Sequence, residues 1–210
     1  MQIDFIADVV CPWCYLGWRR LEKALALRPD VEATVTWRPY QLDPTLPDEG
    51  VDRHKYMAAK FPDPERRKAI GEVLDKAAAE DGVTWNLGAI PVSPNTNAAH
   101  RLIRWSQGAG CQAAVLEAVL AAYFTHGQDI GDPVVLADIA GVAGMDRLAV
   151  LKRLSEGADK DVITREHQMA HEGGVSGVPF IIFDGKVAIA GADSPERMAK
   201  AIDKALEAAA

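Results

Sequence analysis

Residues 3–14 have the sequence Ile-Asp-Phe-Ile-Ala-Asp-Val-Val-Cys-Pro-Trp-Cys, an apolar run that leads directly into two cysteines separated by two residues. The apolar, largely β-branched residues 3–10 predict a buried strand. A helix is predicted from residue 11 to about residue 27, because Pro12 suits the first helical position, where no N–H is needed. Residues 31–42 alternate apolar and polar side chains, which predicts a second strand. The chain therefore opens as β-α-β.

A long helical block follows, with a helical period of apolar residues from about residue 43 to residue 172. No strand is needed in it. Asp132-Pro133 is typical of an N-cap followed by a proline at the first helical position. Gly108, Gly144 and Gly157 are predicted to end helices in the left-handed conformation. The predicted helices cover residues 52–59, 64–81, 95–107, 112–125, 133–142, 146–155 and 160–171.

The end of the chain returns to a strand pattern. Residues 179–183 and 186–190 flank Asp184-Gly185, which predicts a hairpin, and Ser194 begins a last helix that runs towards Ala210. The fold class is therefore α/β, with β-α-β and β-β-α segments on either side of a large all-helical insertion. We assign residues 1–42 and 173–210 to the core and residues 43–172 to the insertion.

The overall composition excludes several classes of function. Acidic residues outnumber basic ones by 30 to 23 in a chain of 210 residues, and no basic stripe is present, so nucleic acid is not an expected partner. No apolar stretch approaches the roughly 20 residues of a membrane helix. The first residues lack the pattern of a signal peptide, so we expect a cytoplasmic protein in which thiols are kept reduced.

The two close cysteines are the candidate catalytic residues. A disulfide across two residues restrains the unfolded chain very little and so adds little stability. A structural role is therefore not favoured. Cys11 at the N-cap of the first helix would face unpaired N–H groups and the positive end of the helix dipole, both of which favour thiolate. Cys14, one turn further in, would be more enclosed and able to displace a partner from Cys11. Trp13, between the thiols, is expected to be partly exposed.

A zinc site is the competing interpretation of this pair. One Cys-x-x-Cys supplies half of a structural tetrahedral site, and the other half is missing. Cys111 is isolated in the sequence, and the i,i+4 spacing of His167 and His171 is common on exposed helices. We therefore predict no metal site and no resident cofactor.

The chain resembles the DsbA-like thioredoxin superfamily, and most closely its FrnE-type subgroup. The resemblance rests on the segment from Asp8 to Cys14 after a strand, on the helical insertion, and on Gly177-Val178-Pro179 before the hairpin. It implies a thioredoxin-like fold and a thiol-disulfide oxidoreductase that acts on protein or small-molecule thiols and disulfides through a mixed disulfide. Glutathione is a possible redox partner. Residues 95–101 are also similar to a segment of glutathione-dependent isomerases and kappa-class glutathione transferases.

The resemblance further implies that Pro179 is cis and packs against the sulfurs, with Pro12, Trp13 and Val178 contacting an extended substrate. One departure concerns the proton acceptor for Cys14. Many thioredoxin-like proteins keep a buried carboxylate six residues before the first cysteine, where this chain has Phe5. Asp4 and Asp8 lie near that position but not at it. The sequence therefore leaves undecided which group accepts the proton of Cys14.

Two other functions remain as alternatives. One is a glutathione-dependent isomerase or transferase of the same superfamily, and the other is a peptide-binding holdase that acts without redox chemistry. Four more residues have weaker assignments. Asn95 is predicted as an N-cap, His100 and Arg101 as a solvated helix face with substrate contact as the alternative, and Cys111 as a small buried residue.

Overall fold

A computed structural model describes residues 1–208 of the chain. It divides them into two compact units, one built from residues 1–40 together with residue 166 onward, the other from Gln41–Arg165. We refer to the first as the sheet unit and to the second as the helical unit. The final helix was predicted to run towards Ala210, and that part of the prediction, Ala209 and Ala210, lies outside the described residues.

The secondary structure follows the predicted order. The strands are β1 (Gln2–Ala7), β2 (Thr34–Pro39), β3 (Val51–Asp52), β4 (Val92–Ser93), β5 (Phe180–Phe183) and β6 (Val187–Ala190). The helices are α1 (Pro12–Ala26), α2 (Arg53–Lys60), α3 (Pro64–Asp81), α4 (Asn97–Gly108), α5 (Gln112–Phe124), α6 (Pro133–Val142), α7 (Arg147–Ser155), α8 (Lys160–Glu172) and α9 (Pro195–Glu207). A 3-10 helix covers Leu87–Ala89.

The sheet unit contains a four-stranded mixed sheet in the order β2-β1-β5-β6. Strand β2 is parallel to β1, whereas β5 is antiparallel to β1 and β6 is antiparallel to β5. Ile6, near the end of β1, pairs with Phe180, the first residue of β5. The segment that leaves β1 and the segment that enters β5 therefore lie at the same end of the sheet.

The core of the sheet unit is built around an aromatic cluster. Phe5 on β1 is fully buried, and its ring meets Trp18 of α1 edge-on at 5.6 Å and stacks on Trp37 of β2 at 5.5 Å between centroids. Such aromatic pairs contribute about 0.5–1.5 kcal/mol each beyond the area they bury. Phe5 thus joins α1 to strands β1 and β2, and the first helix is held in place directly after its cysteines.

The hairpin of β5 and β6 forms as predicted. Asp184 and Gly185 both have positive φ, 49° and 67°, and the Lys186 N–H donates to the carbonyl of Phe183 at 2.9 Å. Left-handed backbone at both central positions is the requirement of the turn that Asp-Gly favours between twisted strands.

Most helix boundaries of the helical unit were predicted because Asp-Pro pairs and glycines mark them. Asp132 accepts a hydrogen bond from the N–H of Val134 at 2.8 Å, ahead of the first-position Pro133. The prediction for Gly108 was wrong: that residue remains in α4, and Gly110 takes the left-handed conformation, with φ 71°. The N–H of Cys111 then reaches back to the carbonyl of Ser106 at 3.0 Å, which closes the helix end.

The helical unit also contains a short antiparallel sheet, so the prediction of an all-helical insertion was incomplete. Strands β3 and β4 pair through Val51↔Ser93 and Asp52↔Val92. Two residues are too few to show an alternating pattern, so these strands could not be recognised from the sequence. Gly50, with φ 71°, allows the close approach, since a Cβ there would lie 2.8 Å from the carbonyl oxygen of Ser93.

Candidate active site

The two cysteines lie at the start of α1. Cys11 is the N-cap residue, with φ −88° and ψ 114°, and Pro12 occupies the first helical position. Both cysteines are free thiols, and Cys11 is 6% exposed whereas Cys14 is fully buried. Pro12 and Trp13, between them, are each partly exposed. The thiol that a substrate can reach is therefore Cys11.

Cys14 is held as a neutral thiol. Its pKa is raised well above the ordinary value of 9.0, first by burial, then by its hydrogen bond to the side chain of Cys11 and by the charge of that side chain. A backbone hydrogen bond with Asp8 works in the opposite direction, while the Asp8 carboxylate raises the Cys14 pKa further. Cys14 therefore keeps its proton near neutral pH unless a base removes it.

The second part of the site is the loop before β5. The Val178–Pro179 peptide bond is cis, and the Cys11 thiol donates to the Val178 carbonyl oxygen at 3.8 Å. The N–H of Gly191, just after β6, donates to the carbonyl of Pro179 at 2.8 Å. The pairing of β1 with β5 thus brings the reactive end of α1 against the Val178–Pro179 loop.

Gly17 on α1 leaves the space into which the Pro179 ring fits. A Cβ at Gly17 would lie 2.9 Å from Cγ of Pro179 and 3.5 Å from the Phe5 ring. Real Cβ atoms do not approach another carbon so closely, so any larger residue would push the proline away. Nothing in the sequence marks Gly17 as part of the site, because a glycine inside a helix carries no sign of what packs on it.

A pocket of about 270 Å³ adjoins this loop. Small and apolar residues line it, without an ionisable side chain: Gly174, Ser176, Gly177, Val178, Phe180, Ala190 and Gly191. Backbone groups rather than charges are therefore available to a ligand there. A pocket of this size, just below the roughly 300 Å³ at which sites for drug-sized molecules begin, has room for one side chain or a small thiol.

Asp8 is a residue whose importance the sequence did not reveal. It lies just after β1, is 1% exposed, and its carbonyl accepts the N–H of Cys11 at 3.2 Å. Phe5, six residues before Cys11, is part of the aromatic cluster and cannot handle protons. Asp8 supplies the buried carboxylate near Cys14 instead. The available signal was a charged residue at the end of an apolar strand, three positions before the cysteine.

Three of the weaker assignments need correction. His100 and Arg101 were expected on a solvated face, yet they are 1% and 5% exposed. Arg101 is buried because its guanidinium donates to main-chain carbonyls at the end of α7. Cys111 is the N-cap of α5 and is partly exposed rather than buried. Asn95 does cap locally, accepting the N–H of Asn97 at 3.0 Å, although Thr96 is the N-cap residue itself.

Neither a metal site nor a membrane helix is found in the part of the chain that the structure describes. Among residues 1–208, no group of three or more His, Cys, Asp or Glu side chains is arranged to hold a metal ion. No helix in the same range combines the length and the apolar character that crossing a membrane requires.

Comparisons with known proteins agree on the fold. The family model described as DSBA-like thioredoxin domain matches residues 2–203. The protein YwbO of Bacillus subtilis (strain 168) is 27% identical over 203 residues, 96% of each chain. A structure described as a probable DsbA oxidoreductase from Streptomyces coelicolor is 27% identical, with a TM-score of 0.88 over 99% of this chain and 90% of that one.

A 2-hydroxychromene-2-carboxylate isomerase shares the fold alone, at 23% identity. Its TM-score is 0.72 over 99% of this chain and 97% of the isomerase. The thioredoxin-like α/β fold predicted from the sequence is confirmed by these matches.

Proposed function

We propose that the chain, since it belongs to the family of DSBA-like thioredoxin domains, is a thiol-disulfide oxidoreductase in which Cys11 attacks and Cys14 resolves. One observation carries the proposal. The reduced Cys11 at the N-terminus of α1 contacts the Val178–Pro179 loop. The buried thiol of Cys14 lies within hydrogen-bonding distance of Cys11. The Cys11 sulfur is placed to react with a substrate, and the Cys14 sulfur is placed to form a disulfide with Cys11.

The reaction runs in two displacements. The Cys11 thiolate attacks one sulfur of a substrate disulfide, a new S–S bond to Cys11 forms, and the other substrate sulfur leaves as a thiolate that takes up a proton. The Cys14 thiolate then attacks the Cys11 sulfur, and the second substrate thiol leaves. The protein ends with a Cys11–Cys14 disulfide and the substrate gains two electrons. Oxidation of a substrate is the same sequence in reverse.

The substrate is held by its backbone in this scheme. The carbonyl of Val178 takes the Cys11 hydrogen bond in the thiol state and becomes free when that sulfur joins a substrate. An extended peptide could then pair with Val178 as an added strand, with side chains in the uncharged pocket beside it. Pro12 and Trp13 are partly exposed and would cover the other side of the substrate sulfur.

Asp8 is the proton acceptor for Cys14 in this mechanism. Near neutral pH Cys14 is protonated, because its pKa is raised, and its displacement step requires a base. Asp8 is buried and close enough to raise the Cys14 pKa by its charge. Loss of the Cys14 proton to Asp8 would occur as the mixed disulfide forms.

Asp8→Asn is expected to slow the resolution of the mixed disulfide by about 10²-fold at pH 7, the usual size of a general-base contribution. The deficit should shrink at alkaline pH, because burial still raises the pKa of Cys14 in the mixed disulfide and hydroxide can then remove the proton without Asp8. Stopped-flow measurement of substrate thiol release gives the rate. Asp4→Asn is the control, because the Asp4 carboxylate on β1 pairs with Arg38 of β2 at 2.7 Å and has no part in the proposed step. Equal rates for Asp8→Asn and wild type at every pH would exclude the role.

Equilibration in glutathione redox buffers tests the function itself. The expected result is one two-electron transition between the dithiol and the Cys11–Cys14 disulfide, followed by mass spectrometry after acid trapping. A potential near −270 mV would indicate a reductase, and one near −120 mV an oxidant. If no intramolecular disulfide forms at any glutathione ratio, the proposal is wrong.

The isomerase alternative is kept because of the shared fold with the 2-hydroxychromene-2-carboxylate isomerase. An isomerase of this type needs one activating residue at position 11 and has no use for a second thiol. Glutathione-dependent isomerase activity that survives Cys14→Ser would favour it, whereas activity confined to disulfide exchange favours the oxidoreductase.

A further inference from the structure

The helical unit contains a second pocket, which the thiol chemistry does not use. Its volume is about 240 Å³, and all of its lining residues belong to that unit. Three are charged and one of them is deeply buried. Those that bear on its chemistry are Asp48, Asn97, Ala98, Arg101, Leu154 and Lys160.

Arg101 is a buried cation, and one of its hydrogen-bond donors has no acceptor. The residue is 5% exposed, and its Nη1 donates to the carbonyls of Leu154 and Ala158 at 3.3 and 3.2 Å. Its Nε is buried and has no partner within residues 1–208. Burial is also the main cause that lowers the pKa of this guanidinium. A buried charged donor left without an acceptor is costly, and in native proteins such atoms usually meet a ligand or water.

Asn97 presents the complementary atom. Its Nδ2 donates to the carbonyl of Lys160 at 3.1 Å, while its Oδ1 is buried and lacks a partner among the described residues. The orientation of this amide is fixed by chemistry, because a carbonyl oxygen accepts only and so must face the NH₂ group. Asn97 is 5% exposed. Two residues that line the pocket therefore each keep a buried polar atom without a partner, one a charged donor and the other a neutral acceptor.

The remaining charges leave a net positive site. Lys160 Nζ lies 2.7 and 2.8 Å from the two carboxylate oxygens of Asp48, so these two neutralise each other. The charges of Asp48 and, less strongly, of Asp159 also act on Arg101. Asp159 accepts hydrogen bonds from Arg153 at 3.0 Å and from the Trp105 N–H at 2.6 Å. No carboxylate in the described chain hydrogen-bonds Arg101, and the surplus positive charge favours a ligand with an anionic group.

We infer that this pocket binds a small monocarboxylate that carries a hydrogen-bond donor beside the carboxylate, such as a 2-hydroxy or 2-amino acid. The carboxylate accepts from Arg101 Nε, and the neighbouring hydroxyl or ammonium donates to Asn97 Oδ1. The pocket is smaller than the roughly 300 Å³ at which sites for drug-sized molecules begin, which limits the ligand to a few carbons.

The inference is tested with lactate and alanine as probes, by NMR titration of the full-length protein at constant ionic strength. We expect saturable shifts with millimolar dissociation constants for at least one of them, as suits a ligand of so few atoms. Propionate lacks the donor and should bind about tenfold more weakly, since Asn97 Oδ1 then stays unpaired. Lactamide lacks the charge and should also lose at least about tenfold. Preference for lactate or for alanine identifies the donor.

Ala98→Leu should abolish binding, because the larger side chain enters the pocket without removing any polar group. Ala114→Leu is its control, the same change at an exposed position of α5. Arg101→Lys, which keeps the charge and loses Nε, should weaken binding at least about tenfold. Should Arg101→Lys fail to fold, Ala98→Leu and the two analogues still decide. The inference is overturned if neither lactate nor alanine saturates, which would leave water in the pocket, or if binding persists in Ala98→Leu.

Discussion

Cys11→Ser is expected to lower the rate of disulfide exchange by on the order of 10³-fold or more, as loss of a nucleophile does in other enzymes. The serine hydroxyl keeps the size of the thiol but is not ionised near neutral pH, so the first displacement cannot begin. The measurement is reduction of an aromatic disulfide reagent, followed by thiolate absorbance. Cys14→Ser should behave differently, giving one equivalent of released thiol and a stable mixed disulfide on Cys11.

Cys111→Ser is the matched control for both variants. Cys111 is the third cysteine of the chain and lies in the helical unit, where it is partly exposed. Its replacement should leave turnover within about twofold of wild type, the range of an inert surface substitution. Wild-type turnover in Cys11→Ser, or a mixed disulfide found on Cys111 instead, would contradict the assignment of the nucleophile.

Phe5→Ala is expected to reduce the free energy of unfolding by about 3–5 kcal/mol, the cost of truncating a buried aromatic residue. Phe5 is fully buried and touches both Trp18 and Trp37, so the variant leaves a cavity at the junction of α1, β1 and β2. Urea unfolding followed by tryptophan fluorescence measures the loss. A domain usually has about 5–15 kcal/mol in total, so this single substitution should remove a large share of the stability.

Leu27→Ala is the control for Phe5→Ala. Leu27 follows α1 and is 54% exposed, so its truncation should change stability by no more than about 0.5 kcal/mol. A loss below about 1 kcal/mol in Phe5→Ala would mean that the aromatic cluster does not hold the first helix to the sheet.

The order of helices and strands could be predicted because short sequence patterns mark where many of them begin or end. Pro133 after Asp132, the left-handed Gly144 and Gly157, and Asp184-Gly185 in the hairpin each satisfy a backbone requirement that neighbours in sequence impose. For the same reason Cys11 could be placed at the N-cap of α1. These features depend on a few adjacent residues, which is the distance over which a sequence pattern is informative.

The burial of particular polar residues could not be predicted, because it depends on partners far along the chain. Arg101 has the sequence context of an exposed helical residue, but its acceptors, Leu154 and Ala158, lie more than fifty positions away. The burial of Asp8 beside Cys14 could not be predicted either. Its position next to Cys14 results from the turn between β1 and α1, whereas the expected carboxylate position is taken by Phe5.

The order of strands in the sheet also has a consequence for biosynthesis. Central strand β1 pairs on one side with β5, which the ribosome makes only after the entire helical unit. At roughly 5–20 residues per second, the segment between Cys14 and Pro179 takes about 10–30 s to translate. During that interval the nascent chain carries both thiols without the loop that later covers them. Both cysteines are therefore first exposed to other thiols and disulfides as parts of an unfinished sheet.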